Sequence, residues 1–344
     1  DAVVHFAGEL FTLGGSIVRA GDVFDVDADI KVDGVDAEPW LIRLRRSDAN
    51  AHVSPWAWPL RGKIAVRVGH VAVLGYRVEP FVASVALGDR EVSMNVTEAR
   101  LCGFSAPLTV SATPATVDVK GHADAYDLPV AATAACLTKN QLRASGTMDL
   151  SVDFAASGAL AALLPSTRGS AVLRARDGYI GGAQGLSEIL ALNDVNQRLE
   201  DAQLKTDRSG MPFRAIEIDA SLTGDRVVVD RALLKSPSID IVVQGEVRLP
   251  DGQVALTGVA LPIVNALFRQ VPVLGRIVGD PIVGIPFSMG GDIGDPQVKR
   301  VRAAAVGGTL LHTLQSVVLL PVQLLGAGAG DAFGEAGAPA RDRP

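Results

Sequence analysis

Aromatic residues, charged residues and cysteines are all scarce in this chain. Of its 344 residues, 5% are aromatic and 20% are charged, whereas 48% are hydrophobic. The apolar content is therefore mostly Ala, Val, Leu and Ile, and this fraction excludes disorder for most of the chain. Two cysteines exclude a disulfide-dense mini-protein and a zinc site of four thiolates. A net charge of −6 argues against nucleic acid as a partner, since phosphates require a basic surface.

Motifs that carry catalysis or metal binding are also missing. The chain has no Gly-x-Ser-x-Gly elbow, and its glycines fit neither a phosphate loop nor a dinucleotide fingerprint. Asp25, Asp27 and Asp29 have the first spacings of a calcium loop, but Ile30 stands where that loop needs glycine. The histidines show no pair three or four residues apart: they are His5, His52, His70, His122 and His312. The sequence therefore predicts no enzyme, no metal site and no cofactor.

Alternation of polar and apolar residues is the dominant pattern. In residues 25–33 every odd position is charged and every even one is apolar or small, which predicts a strand with one solvated side. The even positions expected on the apolar side are Val26, Ala28, Ile30 and Val32. Further predicted strands are 63–68, 71–78, 82–87, 91–96, 108–112, 116–121, 147–154, 171–175, 215–222, 226–229, 239–247 and 254–260. Strand follows strand with little helix between, so we expect a mainly β fold with a long antiparallel sheet.

Helical periodicity is confined to three segments, and the predicted organisation has four parts. The helical segments are 183–200, 262–278 and 303–325, so a few short helices are expected near the C-terminal end. Residues 1–60 are predicted to begin the elongated sheet and 61–302 to continue it. The apolar segment 303–325 and a disordered Gly- and Ala-rich tail at 326–344 follow.

The segment 303–325 is a candidate for membrane contact. No charged residue occurs between 303 and 330, and Lys299, Arg300 and Arg302 directly precede this stretch. Pro321 and the pair Gly307-Gly308 disfavour a rigid span, so an interfacial helix and a buried amphipathic helix both stay open. The residues expected to touch the membrane are Leu310, Leu311, Leu314, Val317, Val318, Leu319, Leu320, Leu324 and Leu325.

Cys102 and Cys136 lie in strand-like surroundings, 34 positions apart. They are either two buried thiols or a structural disulfide. An even cysteine count in an extracytoplasmic protein favours the disulfide.

The stretch from residue 261 to 296 carries a resemblance to a known family. It contains Leu261-Pro262-Ile263-Val264-Asn265, then Val271-Pro272-Val273-Leu274-Gly275, and it ends on Gly290-Gly291-Asp292-Ile293-Gly294-Asp295-Pro296. This order of an Asn-containing helix, a Pro-Val-Leu-Gly turn, a strand and a Gly-to-Asp-Pro motif resembles the C-terminal region of the AsmA-like family of bacterial envelope proteins. The cysteine-containing segments around 101–103 and 136–150 look similar to strands of the same group. The resemblance covers roughly residues 61–305.

The resemblance implies a fold and a function. The expected fold is a long β-sheet curled into an open groove with an apolar interior, and the expected role is a passive conduit for phospholipid between the inner and outer membranes. The chain would then be a periplasmic part of an inner-membrane-anchored protein, because it begins at Asp1 and shows no leader or anchor of its own. Its partners would be phospholipids and a bacterial membrane at the C-terminal end.

A second class of function stays open. The same sheet would serve as an envelope assembly module if it docked outer-membrane proteins by pairing with their edge strands. A secreted hydrolase would need carboxylates converging in a pocket, which a sequence does not display.

Overall fold

The structure, a computed structural model, describes residues 2–6, 9–39, 59–73, 75–139, 142–181, 211–237, 239–249, 251–262, 284–293 and 295–301. Contacts divide the chain into two units, Asp1–Arg300 and Val301–Pro344. The sheet described below belongs to the first unit. Of the second unit only Val301 is described.

Strands dominate the described residues, which confirms the mainly β prediction. Many of the strands repeat the alternation of small aliphatic and polar side chains that favours a half-buried sheet. The strands are β1 Ala2–Phe6, β2 Glu9–Ala20, β3 Val23–Asp36, β4 Leu60–Val73, β5 Tyr76–Leu87, β6 Val92–Leu101, β7 Phe104–Ser105, β8 Leu108–Ala112, β9 Val117–Pro129, β10 Arg143–Ala144, β11 Thr147–Gly158, β12 Arg168–Gly181, β13 Met211–Thr223, β14 Arg226–Lys235, β15 Ile239–Arg248, β16 Gln253–Pro262, β17 Ile285–Asp292 and β18 Asp295–Arg300.

These 18 strands form one sheet that follows the chain almost in sequence order. β1 pairs with β2, and the ladder continues strand by strand to β6. The short strands β7 and β8 both join β6 to β9, and β9 then pairs with β11. From β11 the ladder runs to β18, and β10 adds a short pairing to β12.

One pair of strands corrects the prediction of an antiparallel sheet. β3 and β4 run parallel, with Asp25 opposite Arg61 and Asp27 opposite Lys63. A parallel pair needs a connection that returns to the starting edge, and residues 37–59 make this return. Acidic side chains of β3 thus lie beside basic side chains of β4, and opposite charges on neighbouring strands favour this register.

A second correction concerns the predicted strand 71–78. β4 ends at Val73 and β5 begins at Tyr76, so a hairpin turn interrupts the predicted strand. Gly75 in this turn has a φ of 76°, which glycine adopts without the clash that a Cβ would cause. Residues 71–74 are continuously apolar, so Gly75 is the one signal in the sequence that marks this turn.

Two complete helices are described, and both lie in the middle of the chain. Helix α1 is Val130–Leu137, and helix α2 is Leu163–Ser166, preceded by a 3-10 turn at Leu160–Ala162. The sequence reasoning missed both, although the Ala-rich run of α1 is a helix-favouring signal. The predicted helical segments 183–200 and 303–325 and nearly all of 262–278 lie outside the described residues, as does the tail 326–344.

The strand ends form two rims. The tight-turn rim carries the short connections at residues 21–22, 88–91, 113–116, 159–167, 224–225, 249–252 and 293–294. The opposite rim carries the ends Gly181, Met211, Pro262 and Ile285, between which the long connections 182–210 and 263–284 run. β18 also runs toward this opposite rim and ends at Arg300.

Candidate functional site

One face of the sheet is apolar along almost its whole course. Strand registers place Ile30 beside Val66, Val66 beside Ala83 and Ala83 beside Val96. The same row then crosses every long strand as far as β18, through Leu108, Gly121, Phe154, Gly169, Leu222, Val227, Val247, Val254, Gly291 and Pro296. No charged side chain belongs to this row. We call the surface that it defines the apolar face, and the reverse side the polar face.

Three clusters of buried side chains lie on the apolar face. The largest joins β13 and β15–β17 and contains Ile239, Ile241 and Phe287, with Ile239 and Phe287 fully buried. A second cluster on β5 and β6 centres on Val96, and a third on β11–β13 centres on Phe213. Aliphatic side chains from several strands thus contact one another across the sheet, which is the main source of its stability.

Glycines on this face make room for aromatic rings of neighbouring strands. The ring of Phe154 lies over Gly121, and the ring of Phe287 lies over Gly258, so that a Cβ on either glycine would overlap the ring. The two phenylalanine rings therefore lie flat against the sheet and do not project from it. Few large side chains therefore protrude from the apolar face, since most of its other side chains are Ala, Val, Ile and Leu.

The four predicted lipid-facing residues all lie on the apolar face. Val26 and Val32 are buried, at 9% and 7% exposure. Ala28 and Ile30 keep an intermediate exposure on the same strand. The alternation thus assigned the face of each residue correctly. Whether any of them contacts lipid stays a prediction, and Ala28 and Ile30 are the two with accessible surface.

The polar face is held by ion pairs between strands. Asp29 on β3 accepts a hydrogen bond from Arg67 on β4 at 2.6 Å. Asp219 on β13 accepts hydrogen bonds from Arg174 at 2.5 Å and from Arg231 at 3.1 Å. Burial alone would raise the pKa of Asp219, but the hydrogen bonds and charges of the two arginines outweigh it and lower that pKa. Cross-strand pairs of this kind fix the register of the solvated side.

A small apolar patch on the polar face is a feature that sequence reasoning missed. Leu233, Val242 and Val259 are paired in register across β14–β16 and are 2%, 1% and 5% exposed. The signal was present in the sequence, because Ile241, Val242 and Val243 are consecutive aliphatic residues that break the alternation. A run of this type indicates a strand that is buried on both sides.

Asp240 lies on the polar face near this patch, and its charge is unfavourable in the folded protein. Burial raises the pKa of its carboxyl group, although the backbone of Ser236 and the charges of Lys235 and Arg214 oppose the rise. A raised pKa means that folding penalises the carboxylate above that pKa, and the penalty disappears below the pKa of the unfolded chain.

We therefore expect Asp240→Asn to stabilise the protein at pH 7, by less than about 1 kcal/mol because solvent screens the site in part. The gain should shrink as the pH falls through the folded pKa. Thermal melting at pH 7 and near pH 3.5 measures both effects, and Asp230→Asn on the exposed side of β14 is the control. A lower melting temperature for Asp240→Asn at pH 7 would contradict the expectation.

Cys102 and Cys136 form a disulfide in the structure, with their Cα atoms 5.5 Å apart. It ties the turn after β6 to helix α1. The buried hydroxyl of Thr133 donates a hydrogen bond to the carbonyl oxygen of Cys102 at 2.9 Å, and Tyr76 donates to the carbonyl oxygen of Leu137 at 3.0 Å. Helix α1 is therefore fixed at its middle and at its C-terminal end.

The remaining residues considered from the sequence do not come together in a chemical site. His70 lies against Gly34, and His122 lies on the polar face beside Asp153. No group of three or more metal-ligating side chains occurs among the described residues. In the same ranges no helix is both long enough and apolar enough to cross a bilayer. His52, His312 and the predicted membrane-contact residues from Leu310 to Leu325 lie outside these ranges.

No family model, no curated protein and no solved structure matches this chain. What the protein does must therefore be inferred from its own residues, above all from the contrast between the two faces of the sheet.

Proposed function

We propose that this chain is a passive carrier of phospholipid, with the acyl chains lying along the apolar face and no catalytic step. The single observation that supports this most is the unbroken apolar register row from Ile30 on β3 to Pro296 on β18. A large sheet with one apolar side needs a cover for that side. Acyl chains are a suitable cover because they are uniform along their length, as the face is.

The energetics explain why such a face is useful. A phospholipid with about 30 methylenes loses on the order of 24 kcal/mol when its chains enter water, at about 0.8 kcal/mol for each methylene. Continuous apolar contact removes most of this barrier at every step. A face of small aliphatic side chains offers few strong local minima, so a lipid bound there is free to move along it.

The proposed location is the periplasm, between the inner and outer membranes. The resemblance of residues 261–296 to the AsmA-like family carries this part of the proposal, together with the curled, open groove that the resemblance implies. The disulfide between Cys102 and Cys136 is consistent with an oxidising compartment. The charged polar face, with pairs such as Asp29 and Arg67, suits exposure to water.

Recognition of outer-membrane proteins is the second candidate function. Among the described residues, β1 pairs with a neighbour on one side, namely β2. An outermost strand of this kind accepts a further strand by backbone hydrogen bonding. A scaffold of this type would bind a partner strand without carrying phospholipid.

Native mass spectrometry of the gently purified protein separates the two functions. We expect masses of bound phospholipid that disappear after delipidation and return on incubation with phospholipid vesicles. Protein that stays free of lipid under both conditions would contradict the carrier and favour the scaffold.

The segment 303–325 is proposed to contact a bilayer, as a carrier must deliver its lipid to one. The preceding basic residues Lys299, Arg300 and Arg302 contribute about 1 kcal/mol each near an anionic surface. We expect truncation after Arg302 to leave the melting temperature unchanged and to abolish most co-sedimentation with anionic liposomes. A large drop in melting temperature, with no liposome binding by the intact chain, would instead identify the segment as a structural cap.

A further inference from the structure

Four connections on the tight-turn rim are joined into one row by backbone hydrogen bonds. The amide of Gly224 donates to the carbonyl of Thr167 at 2.8 Å, and that of Leu249 donates to Asp225 at 2.8 Å. The amide of Ile293 donates to Gly252 at 2.9 Å. The connections after β11, β13, β15 and β17 are therefore held against one another, and they cannot move as independent loops.

This row presents large aliphatic side chains to solvent. Leu160 lies in the 3-10 turn before helix α2 and is 49% exposed. Leu164 lies in helix α2 and is 50% exposed. Leu249 in the turn after β15 is 50% exposed, and Ile293 in the turn after β17 is 62% exposed. About half or more of the surface of each of these four side chains is exposed to solvent. Their common position at one rim points to a contact outside the chain.

Three acidic side chains near these turns have basic partners. Arg226 lies 3.1 Å from Glu246 and 3.8 Å from Asp225. Arg248 lies 3.3 Å from Asp251. Each of these three acidic groups thus has a basic partner within the rim. The pairing lowers the cost of moving the turns toward a medium less polar than water, since an unpaired charge would be far more expensive there.

We propose that this row of turns rests on a lipid bilayer, with Leu160, Leu164, Leu249 and Ile293 entering the interfacial region. The proposal goes beyond lipid carriage and does not require the apolar face to hold lipid. Docking by this rim is also a separate proposal from contact by the segment 303–325, which lies outside the described residues.

A bilayer fits the row better than a protein partner does. Adjacent turns are two strands apart, which separates their tips by about 10 Å. Isolated aliphatic side chains at such intervals, with no aromatic residue in the row, do not form the contiguous aromatic and arginine-rich centre that dominates protein interfaces. A fluid interface accepts each side chain separately, and its affinity grows with the total apolar area that enters it.

Environment-sensitive fluorophores test the proposal on the full chain. Leu249→Cys and Ile293→Cys are labelled singly with a nitrobenzoxadiazole dye under conditions that keep the native disulfide. Asp22→Cys is the control, because it lies in an exposed turn of the same rim that lacks aliphatic residues. On addition of phosphatidylcholine vesicles we expect a blue shift and a rise in intensity at 249 and 293 but not at 22. No change at 249 and 293, or an equal change at all three positions, would overturn the proposal.

Charge substitutions provide a second test of the docking proposal. We expect Leu249→Asp/Ile293→Asp to weaken partitioning into phosphatidylcholine vesicles at least tenfold, with the melting temperature unchanged. The matched control Ser84→Asp/Thr109→Asp adds the same charge to exposed positions of the polar face and should partition like the parent chain. Because phosphatidylcholine vesicles carry no net charge, binding should respond little to salt. If the intact chain fails to bind vesicles, and the rim substitutions convert a dimer to a monomer in sedimentation velocity, the row is a self-association surface and the proposal is wrong.

The outcomes of this test and of the lipid-carrier test are separable. Phospholipid in native mass spectra reports on the apolar face, whereas the fluorophore reports on the rim. Bound lipid without a fluorescence change at positions 249 and 293 would overturn only the docking proposal. A fluorescence change there without bound lipid would overturn only the carrier.

Discussion

Replacement of Ile30 by aspartate is expected to reduce phospholipid binding at least tenfold while leaving the β-sheet circular dichroism spectrum intact. Ile30 lies on the apolar face with intermediate exposure, so a carboxylate there projects toward the proposed acyl chains instead of into a closed core. A carboxylate in contact with hydrocarbon is penalised by several kcal/mol or must take up a proton. Quantitative native mass spectrometry with added phospholipid measures the loss.

The control for this substitution is Thr12→Asp on the polar face of β2. Thr12 is paired in register with Lys31, so the new carboxylate meets a basic neighbour and water. We expect Thr12→Asp to bind phospholipid like the parent chain. A photo-crosslinking amino acid at position 30 should likewise label lipid, whereas one at Lys31 should not. Equal labelling at both positions would disprove the assignment of lipid to the apolar face.

Removal of the disulfide is the second change with a large expected effect. Cys102→Ser/Cys136→Ser opens a loop of 34 positions, and the chain-entropy estimate gives a loss of about 3–4 kcal/mol in the free energy of unfolding. Urea titration measures it, and the parent protein titrated with reductant should show the same loss. We expect the variant to stay folded, because Thr133 and Tyr76 still hold helix α1 to the sheet.

Peptide mapping without reduction provides an independent check on the disulfide. The peptides that contain Cys102 and Cys136 should run as one cross-linked species. If both thiols are alkylated in the denatured, unreduced protein, then the disulfide is absent and the inference of an oxidising compartment loses its support.

The face of each strand residue could be read from the sequence, because side chains of a strand alternate between the two sides. Val26, Ala28, Ile30 and Val32 were predicted to share a face, and the register of β3 with β4 places all four there. The acidic residues between them were predicted to face water, and Asp29 forms an ion pair with Arg67 on that side. Such local patterns required no knowledge of which strands become neighbours.

Features that depend on a distant partner were not predicted. The parallel pairing of β3 with β4 depends on where residues 37–59 return to the sheet, and no period in β3 or β4 records that. The hairpin between Val73 and Tyr76 was missed because a continuous apolar run leads into it and only Gly75 marks the turn. Helix α1 was missed because its small apolar residues suit a strand as well as a helix, and contacts with the sheet decide between them.

Composition and period by themselves determined a mainly β chain whose strands have one apolar and one polar side. Only the tertiary structure decided that all these sides meet in one apolar face, since each register is set by pairing between strands. It also decided that Leu160, Leu164, Leu249 and Ile293, far apart in sequence, meet along one rim. Alternation is a property of neighbouring residues, whereas a face or a rim is a property of the paired strands, and this is why the first could be read from the sequence and the second could not.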